Sequence, residues 1–243
     1  VVHSSTQHPT EIQHKVADAL GQPMHTVRVE TRRMGGGFGG KESQGNALAI
    51  ACAVVAAATG RPARMRYDRD DDFTITGKRH DIRVRYRVGH DADGRLKAVD
   101  FVHYLRCGWA MDLSLPVADR AMLHADNAYF IPALRIESHR LRTNHQSATA
   151  FRGFGGPQGM VGIERVLDHV AHAVGRDPLE VRRLNYYAAR GPVAGDDGGS
   201  APAPSEPPRS ISAKKKTAPC PDLQTTHYGQ VVEDFELHAI TRA

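Results

Sequence analysis

The stretch Met34-Gly35-Gly36-Gly37-Phe38-Gly39-Gly40-Lys41-Glu42 has five glycines in the six positions 35–40. A backbone almost free of side chains can take positive φ angles and can lie directly against a ligand. The residues before it, 26–32, alternate as in a strand, and the apolar run 43–59 after it predicts a helix. A glycine turn between a strand and a helix points backbone N–H groups at whatever binds there. We therefore expect residues 34–42, the first glycine loop, to bind a ligand.

Composition excludes several classes of protein. The chain has 243 residues, 40% of them hydrophobic, which is enough for one or two domains with a sizeable core. Its net charge of +5 comes from scattered arginines, so a nucleic-acid partner is not expected. The longest apolar run, 47–58, is too short to cross a bilayer. We expect a cytoplasmic protein, and the start at Val1 rather than at Met indicates a part of a longer one.

Cysteine usage points the same way. The chain has three cysteines, Cys52, Cys107 and Cys220, far apart and without CxxC spacing. This pattern is typical of a reducing compartment. It also argues against a zinc or iron–sulfur site within this chain.

Hydrophobic spacing predicts a mixture of strands and helices. The predicted strands are 1–6, 26–32, 64–67, 82–88, 96–105 and 134–141. The predicted helices are 10–20, 43–59, 116–126, 157–174 and 178–189. Thr10 to Gln13 has the form of a capping box, Asp177 precedes Pro178 as an N-cap, and Asp91 to Gly94 forms a hairpin turn. The mixture fits an α+β fold, a two-layer sandwich of mixed and antiparallel sheets with packed helices, better than a regular βαβ series.

The domain organisation follows from a change of composition. Residues 1–190 have the pattern of a folded domain, whereas 191–224 are rich in Pro, Ala, Ser and Lys and cannot bury a core. Structured-looking sequence returns at 225–243. We predict a domain, a linker or insertion, and the start of a following segment.

Two nucleotide-binding explanations of the first glycine loop fit poorly. Gly35 to Lys41 matches GxxxxGK, but Glu42 stands where a phosphate loop needs Ser or Thr for Mg²⁺. The glycines also satisfy GxGxxG, but no acidic residue lies between positions 55 and 67, about 20 residues on, where a dinucleotide site needs one.

A second glycine loop, residues 150–158, reads Ala-Phe-Arg-Gly-Phe-Gly-Gly-Pro-Gln and also enters a predicted helix. Neither nucleotide explanation predicts it. Two such loops in one chain indicate two backbone edges that bind one large anionic cofactor. The two loops would add Phe38, Glu42, Arg152 and Phe154 to the site.

At this point the sequence resembles the molybdenum hydroxylases, the xanthine dehydrogenase and aldehyde oxidase group. The matching motifs run in family order through about three quarters of the chain, and they are Ser5-Thr6-Gln7, Arg33 to Glu42, Asp119-Arg120-Ala121-Met122, and Thr143 to Gln158. The resemblance implies the molybdopterin-binding domain fold and a molybdenum–molybdopterin cofactor. It also implies an iron–sulfur and FAD-containing partner subunit, or missing regions that carry those groups, in an oligomer of heterodimers.

The resemblance assigns cofactor contacts to Gln7, Gly37, Phe38, Gly39 and Arg152. Of these, Gln7, Phe38 and Arg152 would contact the ligand sphere of the molybdenum without being direct protein ligands.

The resemblance also assigns substrate residues. Glu42 and Arg120 would bind and polarise a purine and so act as catalytic residues, and Phe154 would pack against its ring. The roles make physical sense, since a carboxylate accepts from a ring N–H, an arginine stabilises charge developing on a ring oxygen, and an aromatic face holds a flat ring. The implied reaction hydroxylates hypoxanthine to xanthine and then urate, with oxygen from water. An aldehyde oxidase-type enzyme and a non-catalytic remnant of the fold are the alternatives.

Each of these residues also has a purely structural explanation. Glu42 in a first helical turn is favoured by the helix dipole. Phe38 and Phe154 would serve as core anchors for their loops, and Arg120 would pair with a neighbouring acidic residue. The family's C-terminal glutamate base would lie beyond Ala243, so we expect the chain alone to be inactive.

Overall fold

The computed structural model describes residues 1–187 and, by its backbone alone, a strand at 231–239. The described strands are β1 (Val2–His3), β2 (Val29–Glu30), β3 (Ile82–His90), β4 (Leu96–Gly108), β5 (Ala133–Arg142) and β6 (Val231–Ala239). The described α-helices are α1 (Pro9–Leu20), α2 (Asn46–Thr59), α3 (Arg69–Ile75), α4 (Ser114–Leu123), α5 (Gly156–Val174) and α6 (Pro178–Asn185). Among the described residues, no helix is both long and apolar enough to cross a membrane.

The chain divides into two compact units. The first unit contains Val1–His80, Arg106–Val117 and Arg140–Phe154. The second unit contains Asp81–Leu105, Ala118–His139 and Gly155–Ala243.

In the first unit, β1 and β2 form a parallel pair in which His3 lies opposite Glu30. Helix α1 connects the two strands and packs against α2. The core between these elements consists of Ile12, Val16, Ala17, Val27 and Ala49. Because parallel strands have their carboxyl ends at the same edge, the residues after β1 and the first glycine loop after β2 start from one edge of this sheet.

In the second unit, four strands form a sheet in the order β5-β4-β3-β6. Strand β3 pairs antiparallel with both β4 and β6, and Ile82 lies opposite Leu105 across the predicted hairpin. Helix α5 packs on one face, where Gly162 lies close to Val84 and Phe101. The predicted hairpin is therefore confirmed, and so is the α+β fold class.

Three local predictions are wrong. Residues 64–67 form no strand, and the helix α3 follows instead, with the Asp68 carboxylate accepting from the backbone N–H of Asp71 at 2.8 Å. Helix α1 begins at Pro9, so the capping box at Thr10 lies inside the helix and makes no cap. Proline at the first helical position has a φ already suited to the helix, which explains the earlier start. Strands β1 and β2 have two residues each rather than the longer runs that alternation predicted.

The N-cap prediction for α6 is confirmed. Asp177 Oδ1 accepts from the backbone N–H groups of Leu179 at 2.8 Å and Glu180 at 3.3 Å. The helix ends at Asn185, earlier than the predicted 189. The linker at 191–224 lies outside the described residues, so the predicted division at 190 stays a prediction.

Candidate functional site

The first glycine loop folds tightly around Gln7. Four of its glycines have φ angles of 72° to 100°, and only Gly37 lies outside the left-handed region. A Cβ on Gly37 would lie 2.9 Å from the Gln7 side-chain amide. Gln7 Oε1 in turn accepts from the backbone N–H of Gly39 at 3.3 Å. The loop therefore fixes the position of the Gln7 amide.

The two glycine loops meet within the first unit. A Cβ on Gly39 would overlap the backbone of Ala150 and Phe151. The Cβ-free surface of Gly39 lets the two backbones lie side by side, as binding of one cofactor by two loops requires.

Lys41 closes the first glycine loop on itself. Its Nζ donates to the Met34 carbonyl at 2.5 Å and to Ser5 Oγ at 3.2 Å. The Ser5 hydroxyl donates to the same carbonyl at 2.8 Å. In a phosphate loop the lysine reaches the bound phosphates instead. The arrangement therefore disfavours the phosphate-loop explanation.

Glu42 has a buried carboxylate oxygen. Its Oε2 has no hydrogen-bond partner within the part of the chain that the structure describes. The preceding carbonyl, of Lys41, is held by the Gln7 N–H at 3.0 Å and by Thr6 Oγ1 at 2.9 Å. A buried carboxylate oxygen without a donor is costly, and an N–H group of a ligand would relieve that cost. The explanation of Glu42 as a simple surface residue fits this burial poorly.

Phe154 in the second glycine loop has an unusual backbone. Its φ of 51° lies between those of Gly153 at 91° and Gly155 at 94°. Its N–H donates to the Phe151 carbonyl at 2.7 Å. Glycine would take this conformation at less cost, so the aromatic side chain at this position makes Phe154 a candidate functional residue.

Arg152 is exposed, and its guanidinium has no hydrogen-bond or ion-pair partner among residues 1–187. Its carbonyl accepts from Arg79 Nη2 at 2.6 Å. Phe38 is also exposed, at 66% of its surface, so it does not act as a core anchor within the described residues.

Arg120 belongs to the second unit, where it lies on α4. Its side chain is exposed and has no ion-pair partner in the described part of the chain. Its Nε would lie 4.0 Å from a Cβ placed on Gly156. The guanidinium is thus available to a ligand, and its catalytic role stays a prediction.

Sequence reasoning missed Arg79. No motif contains it, and its contacts with the second glycine loop arise from the fold alone. The nearest signal in the sequence is Gly77, where a Cβ would overlap Ser147 and Thr149.

The residues of the first unit suit a flat, anionic ligand with hydrogen-bonding edges. They offer two bare backbone edges, the Gln7 amide, the Arg152 guanidinium and the unpartnered oxygen of Glu42. A guanidinium and backbone N–H groups are suitable donors to oxyanions.

Comparison with known proteins supports the same kind of ligand. A family model described as molybdopterin cofactor-binding domain matches residues 1–186. Xanthine dehydrogenase of Drosophila subobscura is 49% identical over 75% of the chain, and xanthine dehydrogenase/oxidase of Felis catus is 46% identical over 75%. The chain spans only 14% of the length of each of these two relatives.

Solved structures share the fold. An aldehyde oxidoreductase from Desulfovibrio desulfuricans has a TM-score of 0.70 and 28% identity, over 76% of this chain and 20% of that one. CO dehydrogenase from Oligotropha carboxidovorans has a TM-score of 0.67 and 23% identity, over 76% of this chain and 23% of that one. The second likeness concerns the fold alone.

Proposed function

We propose, from the premise that this chain belongs to the molybdopterin cofactor-binding domain family, that it is the cofactor- and purine-binding part of a xanthine dehydrogenase. The observation that carries the purine assignment is the buried Glu42 oxygen, which has no hydrogen-bond donor among the described residues. The relatives that are 46% and 49% identical are xanthine dehydrogenases, and this supports the same assignment.

The cofactor residues of the first unit suit molybdopterin. Gln7, Gly37, Phe38, Gly39 and Arg152 would hold the group, Gln7 through its fixed amide and Arg152 through its unpartnered guanidinium. When bound, the molybdenum cofactor supplies the oxidation of a ring carbon with oxygen from water. The role of this chain is to bind the cofactor through its backbone edges and to orient the substrate beside the cofactor.

The substrate residues divide the work by chemistry. The Glu42 carboxylate accepts from a ring N–H and so fixes the orientation of the purine. The Arg120 guanidinium stabilises negative charge that develops on a ring oxygen during the reaction. The Phe154 ring, held at a positive φ, packs on the flat face of the substrate.

The double substitution Glu42→Val with Arg120→Met in the complete protein tests this assignment. Removal of one preorganised charge contact costs about 10²-fold in kcat, so purine turnover should fall at least that far, while aldehyde turnover should hold or rise. Arg183→Met is the control, because Arg183 is likewise an exposed arginine on a helix of the second unit. Unchanged purine turnover in the double variant would overturn the substrate assignment.

An aldehyde oxidase-type enzyme is the second candidate, favoured by the aldehyde oxidoreductase that shares the fold. Here the wild-type protein would oxidise aldehydes in preference to purines. A non-catalytic remnant would instead contain no molybdenum on metal analysis of the chain expressed with its partner.

The proposal extends to partners and setting. We expect electrons to leave through an iron–sulfur and FAD-containing subunit, within an oligomer of heterodimers. We also expect a cytoplasmic role in purine catabolism and no turnover by this chain alone. Xanthine-dependent reduction of a dye by the isolated chain would contradict the last expectation.

A further inference from the structure

We propose that Arg79 is a positioning residue that fixes the second glycine loop, and with it the Arg152 guanidinium and the Phe154 ring. This rests on the proposed function of that loop. Arg79 Nη2 donates to the Arg152 carbonyl at 2.6 Å. The guanidinium carbon of Arg79 also lies 4.3 Å from the centre of the Phe151 ring. One side chain therefore holds two successive residues of the loop.

The backbone that carries Arg79 is itself fixed. The Lys78 carbonyl accepts from the Thr149 N–H at 2.9 Å, immediately before the second glycine loop begins. A Cβ on Gly77 would overlap the same stretch. On the other side, His80 Nε2 lies 2.8 Å from Ser114 Oγ. Arg79 thus projects from a segment anchored on both sides.

The contacts are of the strong kinds. A hydrogen bond from a charged donor is about twice as strong as a neutral one. A cation over an aromatic ring is attracted by the negative face of the ring, more strongly where both groups are shielded from water. Burial lowers the pKa of Arg79, and its Nη1 is buried without a partner among the described residues. An arginine keeps its charge under these conditions, so Arg79 and Arg152 together make the loop electropositive.

The loop needs such support because its backbone is strained. Gly153, Phe154 and Gly155 have positive φ angles in succession. A non-glycine residue in this region persists only where its surroundings over-determine it. The Arg79 contacts and the hydrogen bond from the Phe154 N–H to the Phe151 carbonyl are among the interactions that hold the loop in this form.

The test compares Arg79→Met and Arg79→Lys in the complete holoenzyme. Methionine keeps an apolar stem and removes the donor, while lysine keeps the charge and loses the planar fork that donates and stacks together. We expect kcat/KM for a purine to fall about 10-fold in both variants, with a smaller loss for Phe151→Leu. The readout independent of activity is hydrogen exchange at the Phe154 amide, which should accelerate about 10-fold in Arg79→Met because its hydrogen bond depends on the loop.

Arg69→Met is the matched control. Arg69 also lies over an aromatic ring in the first unit, with its guanidinium carbon 5.3 Å from the centre of the Phe73 ring. Among the described residues, it has no contact with the second glycine loop. Exchange at the Phe154 amide and kcat/KM should both equal the wild-type values. If Arg79→Met also has a Phe154 exchange rate and a kcat/KM within twofold of wild type, the proposal is wrong.

The outcomes separate this proposal from the proposed function. If the wild-type protein lacks molybdenum and oxidises no purine, the proposed function is wrong, whatever the Arg79 variants do. If the wild-type protein oxidises purines and the Arg79 variants match it in kcat/KM and in Phe154 amide exchange, only the positioning role of Arg79 is wrong. If Arg79→Met fails to fold, Arg79→Lys decides, and faster Phe154 exchange in that folded variant supports the role while unchanged exchange overturns it.

Discussion

Gly37 differs from the four other glycines of the first glycine loop, because its φ angle lies outside the left-handed region. Its lack of a side chain is explained by a neighbour and not by its own backbone. The Gln7 amide occupies the space where a Cβ would lie. The identity of this residue is therefore tied to the position of Gln7, a predicted cofactor contact.

The substitution Gly37→Ala should reduce cofactor binding with little effect on stability. The added Cβ meets the end of a flexible side chain, so the fold absorbs it for about 1 kcal/mol or less. The displaced Gln7 amide should lower molybdenum content or kcat/KM about 10-fold, as changes beside a metal centre commonly do. Gly89→Ala is the control, since Gly89 also has no positive φ and a Cβ there meets nothing within 4 Å. Equal molybdenum content together with equal kcat/KM in the two purified variants would contradict a role for Gln7.

Most candidate site residues could be predicted from the sequence because they lie in or beside the two glycine loops. The motif places Phe38, Glu42 and Arg152 on turns that bring bare backbone to a ligand. Arg79 was not accessible, because its role depends on which loop the fold places beside it. A single arginine after a lysine has no local pattern that distinguishes a half-buried cation packed on an aromatic ring from a solvated one.

At the scale of elements, the sequence predicts pairing well only where both partners are visible. The alternation in 82–88 and 96–105 predicts two strands with a short turn between them, and these strands pair. Residues 64–67 alternate in the same way but form no strand. Alternation describes a surface with one buried face, and it carries no information on whether a neighbouring strand exists. The predicted start of α1 is wrong because a second local signal competes with the first: Pro9 starts the helix one residue before Thr10, so the capping box does not form.

The substitutions Asp177→Ala and Thr10→Ala should therefore have different effects. The Asp177 carboxylate accepts from two backbone N–H groups at the start of α6, so its loss should cost about 1 kcal/mol of unfolding free energy. Thr10 makes no cap, so its replacement by the better helix former should cost about zero. Urea unfolding of both variants measures the difference. A larger loss for Thr10→Ala would contradict the observed start of α1.

The approach of the two glycine loops gives a second prediction at this scale. Gly39 and Gly60 both have positive φ angles, 98° and 63°, so alanine is strained at either position. Only at Gly39 does a Cβ also overlap backbone, that of Ala150 and Phe151, which cannot move aside cheaply. Gly39→Ala should cost about 1–3 kcal/mol more than Gly60→Ala. Equal losses in thermal or urea unfolding would show that the two loops do not lie in contact.

At the scale of the whole molecule, the stability of the chain should depend on pH through one half-buried and one buried group of the second unit. Glu164 accepts from Tyr129 at 2.6 Å, from Asn127 at 2.9 Å and from Arg182 at 2.8 Å. Burial on its own would raise the pKa of Glu164, but these hydrogen bonds and the charge of Arg182 outweigh it and lower the pKa. The stability from this network is present above the unfolded pKa and is lost as the pH falls through the folded one.

His103 also lowers the free energy of unfolding as the pH falls, but over a higher pH range than Glu164. It is 0% exposed on β4, and neither ring nitrogen has a hydrogen-bond partner among the described residues. Burial lowers its pKa from 6.5 to about 4. Between these values the unfolded chain binds a proton that the folded chain does not, so the free energy of unfolding decreases as the pH falls from about 6.5 towards 4. A shift of this size corresponds to about 3 kcal/mol once the pH is below both values.

The substitution His103→Leu should flatten this dependence. Leucine is apolar and does not titrate, so the variant should lose about 2 kcal/mol less than the wild type between pH 7 and pH 5. Urea unfolding at several pH values measures the slope, which is insensitive to any constant change in packing. Other titrating groups, Glu164 among them, contribute equally to both proteins and cancel in the comparison. His103→Val is the second variant, because it removes the same titrating group with a different change in packing and should flatten the slope to the same extent. If His103→Leu and the wild type have the same slope, His103 binds its proton equally in the folded and unfolded chains, and a neighbouring group must then accept a hydrogen bond from the imidazolium.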